Sequence, residues 1–180
     1  DEFIALDNEL RFLSNKDVIY GANVDEDSLV EGNDYINILE DYAKSVDSDV
    51  IVLCAKIEEE LVGLDDDEAM DMLNELGSDE SGLEQIIHTS FNKLGLMSYF
   101  TAGKMEVRAW TIPQNTKAPK AAAVIHNDFE KGFIKAEVIS YDDFVTLGGE
   151  SKCKDAGKLK LEGKDYIVQD GDIVHFRFNV

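Results

Sequence analysis

An α/β fold built in two parts is what this sequence predicts, and three observations predict it. Two apolar runs, Val18-Ile19-Tyr20 and Val50 to Ala55, flank an amphipathic stretch, the order of a parallel βαβ unit. Beyond residue 98 the hydrophobic pattern becomes β-rich around a single helical stretch. The charge changes with it: residues 1–98 hold 26 acidic and 5 basic side chains and residues 99–180 hold 12 of each, so the halves stand at −21 and 0. Such asymmetry predicts two domains with different neighbours, 1–98 and 99–180.

Residues 1–13 carry Phe3, Ile4, Leu6, Leu10 and Leu13 on one helical stripe. The pattern is already under way at Asp1, so a piece cut from a longer protein is expected. Ser14 to Asp17 breaks the helix. Asn15-Lys16-Asp17 looks like the Asn-Lys-x-Asp motif of GTPases, but Val18 takes the fourth position and the residues precede the strand, which rules it out.

Val18, Ile19 and Tyr20 show no polar alternation, as in a strand covered on both faces of a parallel sheet. The loop after such a strand is where open α/β sheets bind ligands. Asn23-Val24-Asp25-Glu26 falls there and reads as a reader of nucleotide bases. A helix-capping loop is the other reading, because Asn and Asp favour turns and N-caps whatever the ligand.

Tyr35, Ile36, Ile38, Leu39, Tyr42 and Ala43 predict a helix over 33–46, capped by Asn33 or Asp34. Val50 to Ala55 is the second buried strand. A right-handed crossover then opens both strand ends on one sheet edge, so that their loops can meet over one ligand. From Glu58 to Leu76 the chain is acidic yet keeps a helical stripe through Leu61, Leu64, Met70, Leu73 and Leu76. Asp65-Asp66-Asp67-Glu68 lacks the glycine spacing of a calcium loop, so acids favouring a helix N-terminus explain it better. A further helix covers 83–94, and its His88 has no nucleophile or second ligand beside it.

Gly95 to Gly103 reads as the junction. After it come a strand from Met105 to Ile112 ended by Pro113, and a helix opened by Ala118-Pro119 and running to about Phe129–Gly132. A strand from Phe133 to Ser140 and one helical turn over Cys153–Gly157 follow. Tyr166 to Phe178 is expected to be a hairpin turning at Asp170-Gly171. Strand, helix, strand and a terminal hairpin strand make a mixed sheet clasping one helix, a β-grasp-like domain.

Composition narrows the function. With 44% apolar residues the chain can bury a real core. A net charge of −21 opposes binding to nucleic acid or an anionic membrane through bulk electrostatics. Cys54 and Cys153 form no disulfide framework and lack a second ligand at metal spacing, so a reduced, cytoplasmic setting is the default. Neither a membrane-spanning run nor a signal peptide is present, and no membrane partner is expected.

Several stretches together resemble the YchF (Obg-like) ATPase family: Asn23-Val24-Asp25-Glu26, Cys54-Ala55-Lys56-Ile57-Glu58, Tyr99-Phe100-Thr101-Ala102-Gly103, Arg108-Ala109-Trp110-Thr111, His126 to Phe133, and Glu162 to Asp172. One departure is Lys16-Asp17, where the family usually has Lys-Pro. The resemblance implies the C-terminal part of a Ras-like P-loop NTPase domain followed by an α+β β-grasp (TGS, ubiquitin-like) domain. Residues 1–13 would be the helix returning from a coiled-coil insertion.

It also implies that Asn23, Val24 and Glu26 form the base-reading loop, and that Cys54, Ala55 and Lys56 form the loop whose backbone N–H touches the base. An Asn amide pairs with purine N7 and, in adenine, with the N6 amino group. GTPases place an Asp where Glu26 stands, accepting from guanine N1–H and N2–H₂. The extra methylene of Glu26 displaces that bidentate acceptance, and preference relaxes toward ATP. Lys56 equally fits a solvated side chain.

Hydrolysis needs a P-loop lysine, a Mg²⁺ ligand and a positioned water, and none is recognisable here. Gly157 to Asp165 contains Gly-Lys at the wrong spacing, with Asp165 where Ser or Thr is required. ATP or GTP with Mg²⁺ is therefore expected in a longer parent, with no hydrolysis and no tight nucleotide binding by these residues alone. Lys117, Lys120, Lys131 and Lys135, and then Lys152, Lys154, Lys158, Lys160 and Lys164, offer a second class of function, docking to RNA or a ribosome through the TGS part. Ordinary surface lysines on a neutral domain remain the other reading, as do packing roles for Trp110 and His126.

Overall fold

The computed structural model describes residues 2–78, 80–103 and 106–179. The chain divides into two compact units, Asp1–Lys93 and Leu94–Val180.

The first unit runs α1 (Glu2–Leu10), a 3-10 turn (Leu13–Asn15), β1 (Ile19–Asn23), α2 (Glu26–Glu31), α3 (Asp34–Ser45), β2 (Asp49–Leu53), α4 (Ala55–Leu61), α5 (Asp66–Glu75) and α6 (Gly82–Lys93). The strands β1 and β2 pair in parallel from Ile19 opposite Asp49 to Asn23 opposite Leu53, as the two apolar runs predict. Asn33 caps α3, its Oδ1 accepting from the Ile36 N–H at 2.9 Å.

Helix α2 was not foreseen. Asp25 caps it by accepting from the Ser28 N–H at 2.8 Å, so the capping reading holds at that residue. The helix expected from Glu58 is two helices. Asp65 caps the second of them, α5, accepting from the Glu68 N–H at 3.0 Å. The acidic run thus lies in a first helical turn, where the positive end of the helix dipole favours it.

Gly82 is where α6 approaches β2. A Cβ there would stand 2.8 Å from Leu53 Cβ and 2.9 Å from Glu58 Oε1. The same Glu58 oxygen accepts from the Gly82 N–H at 2.7 Å and so holds the start of α6. Gly82→Ala is expected to destabilise the first unit by about 1–3 kcal/mol, read as a lower urea midpoint in far-ultraviolet circular dichroism. An unchanged midpoint contradicts that close approach.

The second unit runs β3 (Leu96–Ala102), β4 (Val107–Pro113), α7 (Ala118–Ile125), α8 (Asn127–Lys131), β5 (Phe133–Ile139), α9 (Tyr141–Leu147), α10 (Glu150–Asp155), β6 (Lys160–Glu162) and β7 (Ile173–Phe178). The sheet order is β4-β3-β7-β5-β6, with β3 and β7 parallel and the other pairs antiparallel. The alanine face of α7, Ala118, Ala121 and Ala122, is wholly buried among Tyr99, Ile112, Val138, Val168 and Val174. Small residues let the helix lie close to the sheet.

Four expectations change here. Gly95 to Gly103 is no junction: it contains β3, which pairs with β4 from Leu96 to Ala102, and the units part at Lys93/Leu94 rather than 98/99. Tyr166 to Phe178 is not a hairpin. Val168 donates its N–H to the Thr116 carbonyl at 3.0 Å, while Asp170 and Gly171 dock on Ser98, so β7 lies between β3 and β5.

The single helix expected from 118 to about 132 is broken at His126. That residue is extended and caps α8, its Nδ1 accepting from the Asp128 N–H at 3.2 Å. Finally, α9 and β6 were not read from the sequence, and the turn expected at Cys153–Gly157 is the end of a helix that starts at Glu150.

Candidate functional site

The register of β1 on β2 brings the two strand-end loops of the first unit together. Asn23 ends β1, and its Oδ1 accepts from the Ala55 N–H at 3.0 Å. Val24 follows by donating its N–H to the Leu53 carbonyl at 2.9 Å, which continues the ladder one step past the strand. Glu26, the first residue of α2, meets Lys56, the second residue of α4, at 2.6 Å between Oε1 and Nζ. That hydrogen bond raises the Lys56 ammonium above its ordinary pKa.

Cys54 is buried at the turn between β2 and α4. All six residues expected at the site therefore lie at two adjoining strand-to-helix junctions, and a cavity of about 460 Å³ lined by Asn23, Val24, Asp25 and Tyr35 opens beside the first of them. A planar ring against Asn23 would find an amide with both a donor and an acceptor. The Glu26–Lys56 pair was missed from sequence. Opposite charges at equal distances past two parallel strand ends were the signal available.

The lysine clusters singled out from the sequence lie in the second unit. Several of the lysines there are paired with carboxylates: Lys117 with Asp165 at 2.7 Å, Lys120 with Glu130 at 2.7 Å and Lys158 with Asp143 at 3.0 Å. The lysines hold the Asp165 and Asp143 carboxyls below the usual carboxylate range. Gly163 to Asp165 is a turn after β6 with no helix behind it, unlike a phosphate-cradling loop.

Trp110 is only partly buried and donates to Thr101 Oγ1 at 2.9 Å, with the Arg108 guanidinium 4.1 Å from its ring centroid. His126 is exposed rather than packed, and acts as a cap. His88 is exposed and faces Glu80 at 2.8 Å.

A parallel βαβ corner with meeting strand-end loops, joined to a five-stranded sheet that clasps a helix, is the C-terminal part of a Ras-like P-loop NTPase domain followed by a β-grasp domain. Residues 96–179 match the family model YchF-GTPase_C, described as a protein of unknown function (DUF933). Across 169 residues the chain is 55% identical to the ribosome-binding ATPase YchF of Pasteurella multocida, covering 94% of this chain and 46% of that protein. It is 50% identical over 174 residues to the protein of the same name from Bacillus subtilis, covering 96% and 48%.

Among solved structures, the YchF GTPase of Schizosaccharomyces pombe superposes with a TM-score of 0.80 at 38% identity, over 97% of this chain and 47% of that one. A GTP-binding protein from Pyrococcus horikoshii shares the fold at a TM-score of 0.61 and 18% identity, over 89% and 45%. The chain belongs to the YchF family. It spans about half the length of the relatives it matches.

Proposed function

We propose that this chain supplies the base-reading corner of a purine nucleoside triphosphatase that works on the ribosome in the cytoplasm. The observation that carries the reading is the junction of Asn23 with Ala55 and of Glu26 with Lys56 across two parallel strand ends. Asn23 pairs with the N7 and N6 edge of adenine, Val24 and Cys54 set the depth of the two loops, and Ala55 with Lys56 forms the opposite wall. ATP is the favoured base and GTP the second.

The names of the relatives support both the ATPase activity and the ribosome as partner. The half of their length that this chain does not cover would carry the phosphate loop and the Mg²⁺ ligands. In this reading the residues of the present chain supply base recognition and orientation.

The isolated 180-residue chain is expected to show no ATP turnover above background and no tight ATP binding, because phosphate contacts dominate nucleotide affinity in P-loop proteins. Metal-dependent turnover by the purified chain contradicts this. A second reading assigns the β-grasp unit as a docking module for ribosomal RNA. The name shared by the relatives favours it, and the paired lysines oppose a purely electrostatic mode. Pelleting of residues 94–180 with ribosomes at low salt, lost at high salt, would support that module, and no pelleting at low salt removes it.

A further inference from the structure

We propose that Lys56 determines base specificity by holding Glu26 away from the purine, so that guanine must break an internal ion pair that adenine leaves intact. The inference rests on the base-reading role of Asn23. Its geometry comes from the sheet: Asn23 and Leu53 are paired across β1 and β2, and Glu26 and Lys56 each lie three residues beyond them. Equal offsets from a parallel register put the two side chains face to face, 2.6 Å apart. Asp25, the neighbouring acid, is turned into α2, where it accepts from the Ser28 N–H. Glu26 is thus the carboxylate of this loop that faces the second loop.

Guanine presents N1–H and N2–H₂ on its Watson–Crick edge and needs a carboxylate with both oxygens available. The Lys56 ammonium turns the carboxylate toward the second loop, and swinging both oxygens round to guanine breaks this charge-assisted hydrogen bond, a strong kind. Adenine carries a bare N1 acceptor and no amino group at C2, so it asks nothing of Glu26. An unpaired carboxylate opposite N1 would repel it, and Lys56 removes that charge.

The second loop adds to the same bias. Guanine O6 requires a donor, and the Ala55 N–H that would provide one already donates to Asn23 Oδ1 at 3.0 Å. Adenine has an N6 amino donor at that place, and Asn23 Oδ1 has a second lone pair for it. Guanine therefore conflicts with two bonds internal to the site and adenine with neither.

The experiment uses a protein of the relatives' full length that includes this chain, with ATP and GTP affinities measured by titration in Mg²⁺ buffer. Lys56→Gln is expected to shift the ratio of GTP to ATP affinity toward GTP by about fivefold, less than a fully buried pair would give because both side chains are partly solvated. Lys56→Arg, which keeps the ion pair, is expected to keep the wild-type ratio. Adding Glu26→Gln to Lys56→Gln should cancel the shift, since no carboxylate remains to be released.

A ratio within about twofold of wild type in Lys56→Gln overturns the proposal, as does a shift that persists without Glu26. Failure of the base-reading role looks different: Asn23→Ala would then bind both nucleotides as wild type does. Lys56 is well exposed, and thermal melts of each variant confirm that the fold is intact.

Discussion

Tyr99→Ala is expected to unfold the second unit, at a cost of about 3–5 kcal/mol, the range for emptying a large buried aromatic site. Tyr99 lies in β3 with no solvent exposure, edge-on to Phe176 at 5.8 Å between ring centroids. Its hydroxyl donates to the Ala121 carbonyl at 2.9 Å and so ties the sheet to α7. Loss of the ring opens a void between the helix and two strands that small alanines cannot fill. The measurement is a urea titration followed by Trp110 fluorescence. A midpoint close to wild type would mean that the helix is held some other way. Tyr99→Phe keeps the ring and loses one hydrogen bond, so about 1 kcal/mol is expected.

Alkaline pH probes the same core. Burial pushes the Tyr99 phenol well above the ordinary tyrosine value. Burial, followed by the 2.6 Å hydrogen bond to Asp172, does the same to Tyr166. The folded unit keeps both protons where the unfolded chain releases them. The stability they contribute is intact below about pH 10 and falls as pH rises beyond it, by up to about 1.4 kcal/mol per pH unit for each phenol. Tyr99→Phe should remove one share of that slope. Equal slopes in the two proteins would show that Tyr99 ionises freely in the folded state.

Asn23→Ala is expected to weaken ATP binding by one to two orders of magnitude in a protein of the relatives' full length, since a good bidentate pair with adenine contributes roughly 1–3 kcal/mol. The substitution removes the amide that pairs with the purine and leaves the Ala55 N–H without its partner, so the second loop loses its anchor as well. Asn23→Asp separates the two effects. An aspartate can still accept from Ala55 but has no donor for N7. Recovery of tight binding in Asn23→Asp would place the effect in loop anchoring rather than in base pairing.

Glu26 shows how much of this site could be read along the chain. Its place after an unalternating apolar run marked it for a strand-end loop, because two-sided burial leaves a local signature. That it is joined to Lys56 was not legible, because the partner lies 30 residues away and only the strand register aligns them. Asp25 carried two readings at once, and the structure realises the capping one there while Asn23 turns to the second loop.

Local chemistry by itself determined the two buried strand runs of the first unit, the capped start of α3, the acidic first turn of α5 and the helix–sheet composition of the second unit. Apolar period, cap residues and turn residues act over a few positions and need no distant partner. Tertiary structure alone decided that β7 lies between β3 and β5 instead of folding back on Tyr166 to Val168. Asp170-Gly171 can serve a hairpin or a docking turn equally well, and the choice fell to Ser98, whose N–H reaches Asp170 at 2.8 Å across 72 residues. Hydrogen bonds between segments so far apart in the chain are set by which strand edge remains open when the core closes, and no window of sequence contains that edge.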